Sequence, residues 1–313
     1  MATRSFTIVA KGPFSLRESA LFGFGQRMRP GGVGSQEPTF DGVMRLAFCL
    51  DGYRDQVGVE LRQVDDGVRA VVHGKGDLAA VEAQVSRVLS LDHDATGFVQ
   101  VGNRDRVIKK LQQTAPGLRP PLFYSPYEAA TWSVLSARRS GWQMSQVRAQ
   151  LSEAHGATFD LAGERLATLP TPAQLLRVEA FPGIEPARLE RMHGVAQAAA
   201  DGLLDAARLR ELGPDDAMTE VQRINGIGPF YAGLIVVRAT GFTDVLPVND
   251  PKRWRSSGSS MTCPAHPRSR SSRRSPRSGA PGAPGLPSCS GPWDPVERCV
   301  ARRVVRYCAP LSR

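Results

Sequence analysis

The sequence predicts an α+β N-terminal unit followed by an all-helical domain and a disordered C-terminal tail. Three observations carry that reading. Short runs with alternating apolar positions fill the first part of the chain. From about residue 94 to Gly241 the apolar spacing becomes three to four residues, the period of a helix face. From Lys252 onward all periodicity stops. The expected boundaries are therefore 1–92, 93–251 and 252–313.

Within the first unit, Ser5–Ala10 reads as a short strand and Phe14–Phe24 as a helix, with a loop over Pro30–Gly34. Val43–Leu50, Val57–Val64 and Val68–Val72 carry strand patterns. Asp65-Asp66-Gly67 between the last two suits a hairpin turn. Leu78, Val81, Val85, Val88 and Leu89 then fall on one helix face. Strands followed by a covering helix make an α+β layer, read here as structural support.

Helical candidates follow at Arg104–Gln113, Pro126–Arg138, Gln143–His155, Thr171–Val178 and Pro186–Asp201, with a breaker over Pro116–Pro121. Pro214-Asp215-Asp216 starts another helix, and Val221 and Ile224 share one face of it. Gly226-Ile227-Gly228 allows a tight reversal, because glycine takes backbone angles closed to other residues. Pro229 suits the first position of the next helix, where its missing N–H costs nothing. Leu234, Ile235 and Val237 give that helix an apolar stripe, and Gly241 is placed to end it. Such a hairpin aims unpaired N–H groups at a helix N-terminus, which suits a phosphate. On the turn alone, an ordinary helical hairpin fits equally well.

Charge and cysteine divide at the same place. The whole chain carries +10, whereas residues 252–313 hold 13 Lys+Arg and 2 Asp+Glu, or +11, which leaves −1 for residues 1–251. Nucleic-acid binding by the body must then rest on local patches and backbone N–H groups rather than bulk charge. Cys49 sits in an apolar run and reads as a buried free thiol. Cys263, Cys289, Cys299 and Cys308 lie in the tail without a CxxC pair, which argues against zinc. No run of about 18 apolar residues suggests a membrane span. Met1–Ala10 lacks a long apolar segment, so a cytoplasmic protein is expected. The tail is rich in Arg, Ser, Pro and Gly, a composition unable to bury enough surface to fold. It reads either as a basic arm or as the product of a reading frame shifted near Lys252.

Gly226-Ile227-Gly228, followed by Asp244-Val245 and then Asp250, resembles the motif of the helix-hairpin-helix DNA glycosylases. The order of elements further resembles the bacterial DNA-3-methyladenine glycosylase II type. Local matches include Pro116–Arg119, Tyr127–Ser136, Leu169–Pro172, and Gly183-Ile184 leading to Arg188. The resemblance covers most of residues 1–251 and is strongest over 222–250.

The resemblance implies base-excision repair of alkylated purines in damaged double-stranded DNA by a monomer without a membrane partner. Such an enzyme extrudes the nucleotide before cutting the glycosidic bond. Gly226, Ile227 and Gly228 would anchor a phosphate. Asp250 would be the catalytic carboxylate, stabilising positive charge on the sugar and orienting water, with Asn249 beside it. Asp is also a common helix cap, the plainer reading of that residue. Lyase-type members carry a lysine two residues past the second glycine; here Phe230 stands there, which implies a monofunctional glycosylase. Phe230 would stack on the extruded base or else pack in the core, and Trp132 is a second aromatic candidate for the base pocket. Where members have a Gln-containing turn, this chain has Ser136-Ala137-Arg138-Arg139; Arg138 aligns with the inserting position, or is a solvated surface charge. Backbone carbonyls of Gln222, Ile224 and Ile227 would hold a monovalent cation, with no other cofactor. The tail cysteines are spaced too widely for the iron–sulfur cluster of some members. The rival readings are an oxidised-purine glycosylase and a non-catalytic DNA-binding protein whose C-terminal core the tail has replaced.

Overall fold

A computed structural model of the 313-residue chain describes residues 4–22, 40–243 and 245. The loop expected over Pro30–Gly34, residues Asp244, Asn249 and Asp250, and the whole tail from Lys252 lie outside the described residues.

In the first part, β1 (Ser5–Val9) and α1 (Leu16–Phe22) precede β2 (Met44–Cys49), β3 (Gln56–Val64), β4 (Gly67–Gly74) and α2 (Leu78–Val88). The strands pair antiparallel in the order β1-β4-β3-β2. Val64 faces Gly67 across Asp65 and Asp66, the two-residue turn that the sequence suggests. Val57, Val59 and Leu61 project to one face of β3 and are fully buried with Phe48, Val81, Val85 and Val88. Each such side chain contributes about 1.5–3 kcal/mol of transfer free energy, which is what holds α2 on the sheet. Asp77 fixes the start of α2 by accepting the Ala80 N–H at 2.9 Å.

The rest of the chain runs α3 (Phe98–Arg104), α4 (Arg106–Thr114), α5 (Pro126–Ser136), α6 (Gly141–His155), β5 (Thr158–Leu161), β6 (Glu164–Ala167), α7 (Pro172–Leu175), α8 (Pro186–Ala200), α9 (Ala206–Leu212), α10 (Pro214–Val221) and α11 (Pro229–Thr240). Helix α5 is its axis. Ala129, Ala130, Thr131 and Ser133 keep its girth small, so α8 and α11 pack closely against it. Tyr127, Val134 and Leu135 are buried there with Met192, Val195, Ile235 and Val236.

Two expectations need correction. The second part is not all-α, because β5 and β6 form an antiparallel hairpin on the free face of the first sheet. Gly58 makes room for it: a Cβ there would fall 2.8 Å from the Phe159 side chain. Arg45 Nε and Nη2 donate to the carbonyls of Leu161 and Ala162 at 2.9 Å, and the Ala162 N–H donates to Glu60 at 2.9 Å. These bonds connect residues more than 100 positions apart, so no local pattern announces the hairpin. Second, α3 and α9 form where the sequence pattern predicts no helix, and the helix expected over Thr171–Val178 closes at Leu175.

Polar side chains join the two apolar clusters. Arg119, 3% exposed, donates to the carbonyls of Lys11 (2.6 Å), Pro13 (3.1 Å), Ser90 (2.7 Å) and His93 (3.0 Å). The Pro116–Arg119 match is thus a structural clamp. Cys49, a buried free thiol as expected, donates to the Leu169 carbonyl, and the Tyr53 hydroxyl donates to that of Leu204. Glu128 is buried and its carboxyl is pushed up by desolvation, while Arg148 at 2.7 Å opposes the shift. No helix among the described residues is long and apolar enough to cross a membrane.

Candidate nucleic-acid interface

Val221, Ile224 and Ile227 pin the turn between α10 and α11 to the helical core, each 5% exposed or less. The Ile224 N–H donates to Val221 O at 3.2 Å, and the Ile227 N–H to Ile224 O at 3.0 Å, so the loop winds tightly. Gly226 takes φ +94°, the region open to glycine. Gly228 does not: its φ is −90° with extended ψ, so it is not required by backbone angle. Nor does space require it, since a Cβ built there meets nothing within 4 Å and the turn lies open at that point.

Gly228 is also the N-cap of α11, with Pro229 at N1 and no side chain bonded to the helix end. The first-turn N–H groups of an α-helix have no partner within it, and Pro229 removes one of them. The remaining N–H groups and the positive end of the helix dipole face outward beside an uncrowded glycine. Physically, that arrangement accepts an anion.

The turn from α5 to α6 stands next to this hairpin. A Cβ at Gly226 would lie 3.7 Å from Val134 Cγ2, on the last turn of α5. Arg138, three residues beyond α5's Leu135, is exposed and takes φ +56°, a left-handed conformation uncommon for a residue with a side chain. Arg188 supplies what fixes that turn. Its Nη1 donates to the carbonyls of Val134 (2.7 Å), Leu135 (2.9 Å) and Ala137 (3.2 Å), capping α5 from α8. The Arg139 N–H closes the turn on Ser136 O at 3.1 Å, and the Arg139 side chain pairs with Glu185. Burial, then the positive charges of Arg139 and Arg191, pull the Arg188 pKa below its ordinary value. Arg139, Arg188 and Arg191 therefore lie within electrostatic reach of one another, with Arg138 exposed on the turn beside them.

Phe230, the second residue of α11, is 39% exposed, which answers the alternative of core packing. Its ring lies 5.2 Å from that of Tyr231, tilted by 59°. Trp132 is half-buried against the helical core on α5. Gln222, Ile224 and Ile227 all belong to the hairpin turn, and the Ile224 carbonyl retains a second lone pair beyond the Ile227 N–H. Helix α11 ends at Gly241, which takes φ +87° as its sequence suggests, and the Gly241 carbonyl lies 3.0 Å from His93 Nε2. Asp250, assigned the catalytic role by the resemblance, follows this point and lies outside the described residues. The structure thus sets the last turn of α5, which leads to Arg138, beside the Gly226–Gly228 turn, which leads to Phe230. Sequence reasoning missed the roles of Arg188 and Arg191; Arg188 stood out only within a local match, because its partners are 51 to 54 positions away.

No family model matches the chain. It is 27% identical over 169 residues to the DNA-3-methyladenine glycosylase of Bacillus subtilis, covering 51% of this chain and 54% of that protein. It is 28% identical over 200 residues to the probable bifunctional transcriptional activator/DNA repair enzyme AlkA of Mycobacterium tuberculosis, covering 61% of this chain and 39% of that protein. The chain thus spans about half the length or less of these curated relatives. Among solved structures, the 3-methyladenine DNA-glycosylase from Archaeoglobus fulgidus superposes with a TM-score of 0.62 at 21% identity, over 80% of this chain and 84% of that one. The fold is therefore shared with that glycosylase.

Proposed function

We propose that this chain, a relative of the helix-hairpin-helix DNA glycosylases of the 3-methyladenine II type, hydrolyses the N-glycosidic bond of alkylated purines in duplex DNA. The observation that supports the proposal is that the last turn of α5 packs beside the hairpin, which sets three parts in one region of the structure. These are an uncapped helix end at Gly228, a solvent-facing arginine held in a left-handed turn, and an exposed aromatic ring at Phe230.

Each part has a task. The hairpin N–H groups hold a backbone phosphate, fixing register without reading sequence. A monovalent cation held by the carbonyls of Gln222, Ile224 and Ile227 fits the same turn, since their donors are neutral oxygens. Arg138 enters the groove and fills the gap left by the extruded nucleotide. Phe230 takes the flipped base; a cationic methylated purine over its face gains about 0.5–2 kcal/mol, increasing as water leaves. Trp132 lines the pocket from α5. In the chemical step the bond from C1′ to the purine nitrogen breaks, the base leaves with the bond electrons, and water oxygen bonds to C1′. Asp250 stabilises the cationic sugar and orients that water, whose proton passes to solvent. With Phe230 and no lysine at that position, no Schiff base forms there and an abasic site is the product. The chain acts as a monomer.

The test is base release from duplexes carrying 3-methyladenine or 8-oxoguanine, with wild type and Asp250→Asn. Release of the methylated base alone by wild type, and duplex binding without release by the variant, are expected. Preferential release of 8-oxoguanine favours the oxidised-purine reading. Duplex binding with no release of either base points to a non-catalytic DNA-binding protein. Undiminished release by Asp250→Asn removes the carboxylate assignment.

A further inference from the structure

We infer that Arg191 on α8 is a second contact to the DNA backbone beside the hairpin, an assignment that rests on the DNA-binding reading above. Its aliphatic stem lies over Gly226: a Cβ built at that glycine would fall 3.3 Å from Arg191 Cδ and 3.9 Å from Cγ. The stem is placed by the turn, while the residue as a whole is exposed. Among the described residues no carboxylate forms an ion pair with Arg191. Glu185, the N-cap of α8, is taken by Arg139 and lies 3.7 Å from Arg188 Nε.

Like charges are thus gathered around a single carboxylate, Glu185, which does not reach Arg191. Arg188 feels both Arg139 and Arg191, and Arg138 stands exposed on the adjoining turn. A body of net charge −1 has acids to spare, yet this face leaves Arg191 unanswered. An anion on the ridge between the α5–α6 turn and the hairpin would supply the missing charge. The position beside the open N-terminus of α11 suits the phosphate adjacent to the one that the hairpin N–H groups hold. Arg191 would then reinforce the grip on one strand without contributing to base choice.

The experiment is binding of the full chain to an undamaged duplex, titrated across salt concentrations, with wild type, Arg191→Met, Arg191→Lys and the control Arg165→Met on the β5–β6 hairpin. Methionine keeps an apolar stem over Gly226 and removes only the charge. Loss of one phosphate contact should make the slope of log K against log salt shallower by about 0.9 and weaken binding about five-fold at 0.15 M salt. The loss should be equal for damaged and undamaged duplexes, with Arg191→Lys retaining the slope and Arg165→Met matching wild type. An unchanged slope in Arg191→Met overturns the assignment and leaves the glycosylase reading intact. The expected slope change in a chain that releases no base sinks the glycosylase reading and leaves Arg191 in place.

Discussion

Replacing Arg188 with methionine tests whether the turn carrying Arg138 is held from α8. One nitrogen, Nη1, serves three carbonyls at 2.7, 2.9 and 3.2 Å, so its two N–H groups make two good bonds and share the third. Its side chain is only 12% exposed, so water cannot fully replace it. Hydrogen bonds from a charged donor contribute about 1.5–3 kcal/mol each, and two from one side chain are less than additive, suggesting about 3 kcal/mol. Removing the charge also relieves repulsion from Arg139 and Arg191, offsetting about 0.5–1 kcal/mol at a partly solvated site. The net expected loss is about 2 kcal/mol, seen in urea unfolding as a lower midpoint with unchanged slope. Freed of its clamp, the turn should lose its left-handed bend. Arg138→Ala should then weaken duplex binding in the wild-type background but have little further effect in Arg188→Met. A loss of stability under about 0.5 kcal/mol, or fully additive effects of the two substitutions on binding, would refute the clamp.

The two hairpin glycines should behave differently. Gly226→Ala meets a positive φ and a tight approach to Arg191, and should cost about 1–2 kcal/mol in thermal or urea unfolding. Gly228→Ala has an allowed φ and open space, so stability should change by less than about 0.5 kcal/mol while duplex affinity falls, because the new methyl obstructs the phosphate. Phe230→Ala, at an exposed position, should cost less than about 1 kcal/mol of stability yet abolish release of a methylated base with duplex binding retained; normal release would exclude the ring from the base site. Asp41 is held down to about 2, chiefly by its hydrogen bond to Arg45. A carboxyl with a depressed folded pKa adds stability above its ordinary value of 3.8 that is lost as pH falls through about 2. Because Asp41 is more than half exposed, the advantage of wild type over Asp41→Asn should be only about 0.5 kcal/mol at pH 6, vanishing near pH 2.

What was legible in the sequence follows from how far each interaction reaches along the chain. The Asp65-Asp66 turn, the α2 face from Val81 to Val88 and the ends of α11 at Pro229 and Gly241 are set by neighbours within a few positions, and all appear in the structure. The β5–β6 hairpin escaped notice because its turn uses Ala162 at φ +43° with Gly163, where Asn-Gly or Asp-Gly is the usual signal. Its support comes from Arg45 and Glu60 in another part of the chain. The same distinction holds at the site. Gly226 and Phe230 could be picked out by spacing, whereas the clamp of Arg188 on α5 and the lie of Arg191 over Gly226 exist only once α5, α8 and the hairpin have packed. The two glycines look alike in sequence, and only the geometry shows that Gly226 answers to backbone angle while neither angle nor packing among the described residues requires Gly228.

A body with slightly negative net charge can still grip a polyanion if its acids are kept beyond screening range of the gripping surface. Asp215 and Asp216 lie in the first turn of α10, six and five residues before its end at Val221, so at about 1.5 Å per residue they stand roughly 9 and 7.5 Å along the helix from that end. Those separations are about one Debye length of roughly 8 Å at physiological salt, and the turn from Val221 to Gly226 follows beyond them. Their charges also complement the positive N-terminus of α10. Glu220 is close to the turn, but Arg208 at 2.7 Å and Arg223 at 2.9 Å neutralise it. Glu185 is likewise occupied by Arg139. The charges nearest Gly226–Gly228 are then the α11 dipole and the arginines beside it, which favour a positive local potential although residues 1–251 sum to −1. On the proposed DNA-binding reading, these arginines and the helix end supply positive potential apart from the +11 of residues 252–313. Its affinity should follow the few arginines around the hairpin and not the isoelectric point of the chain.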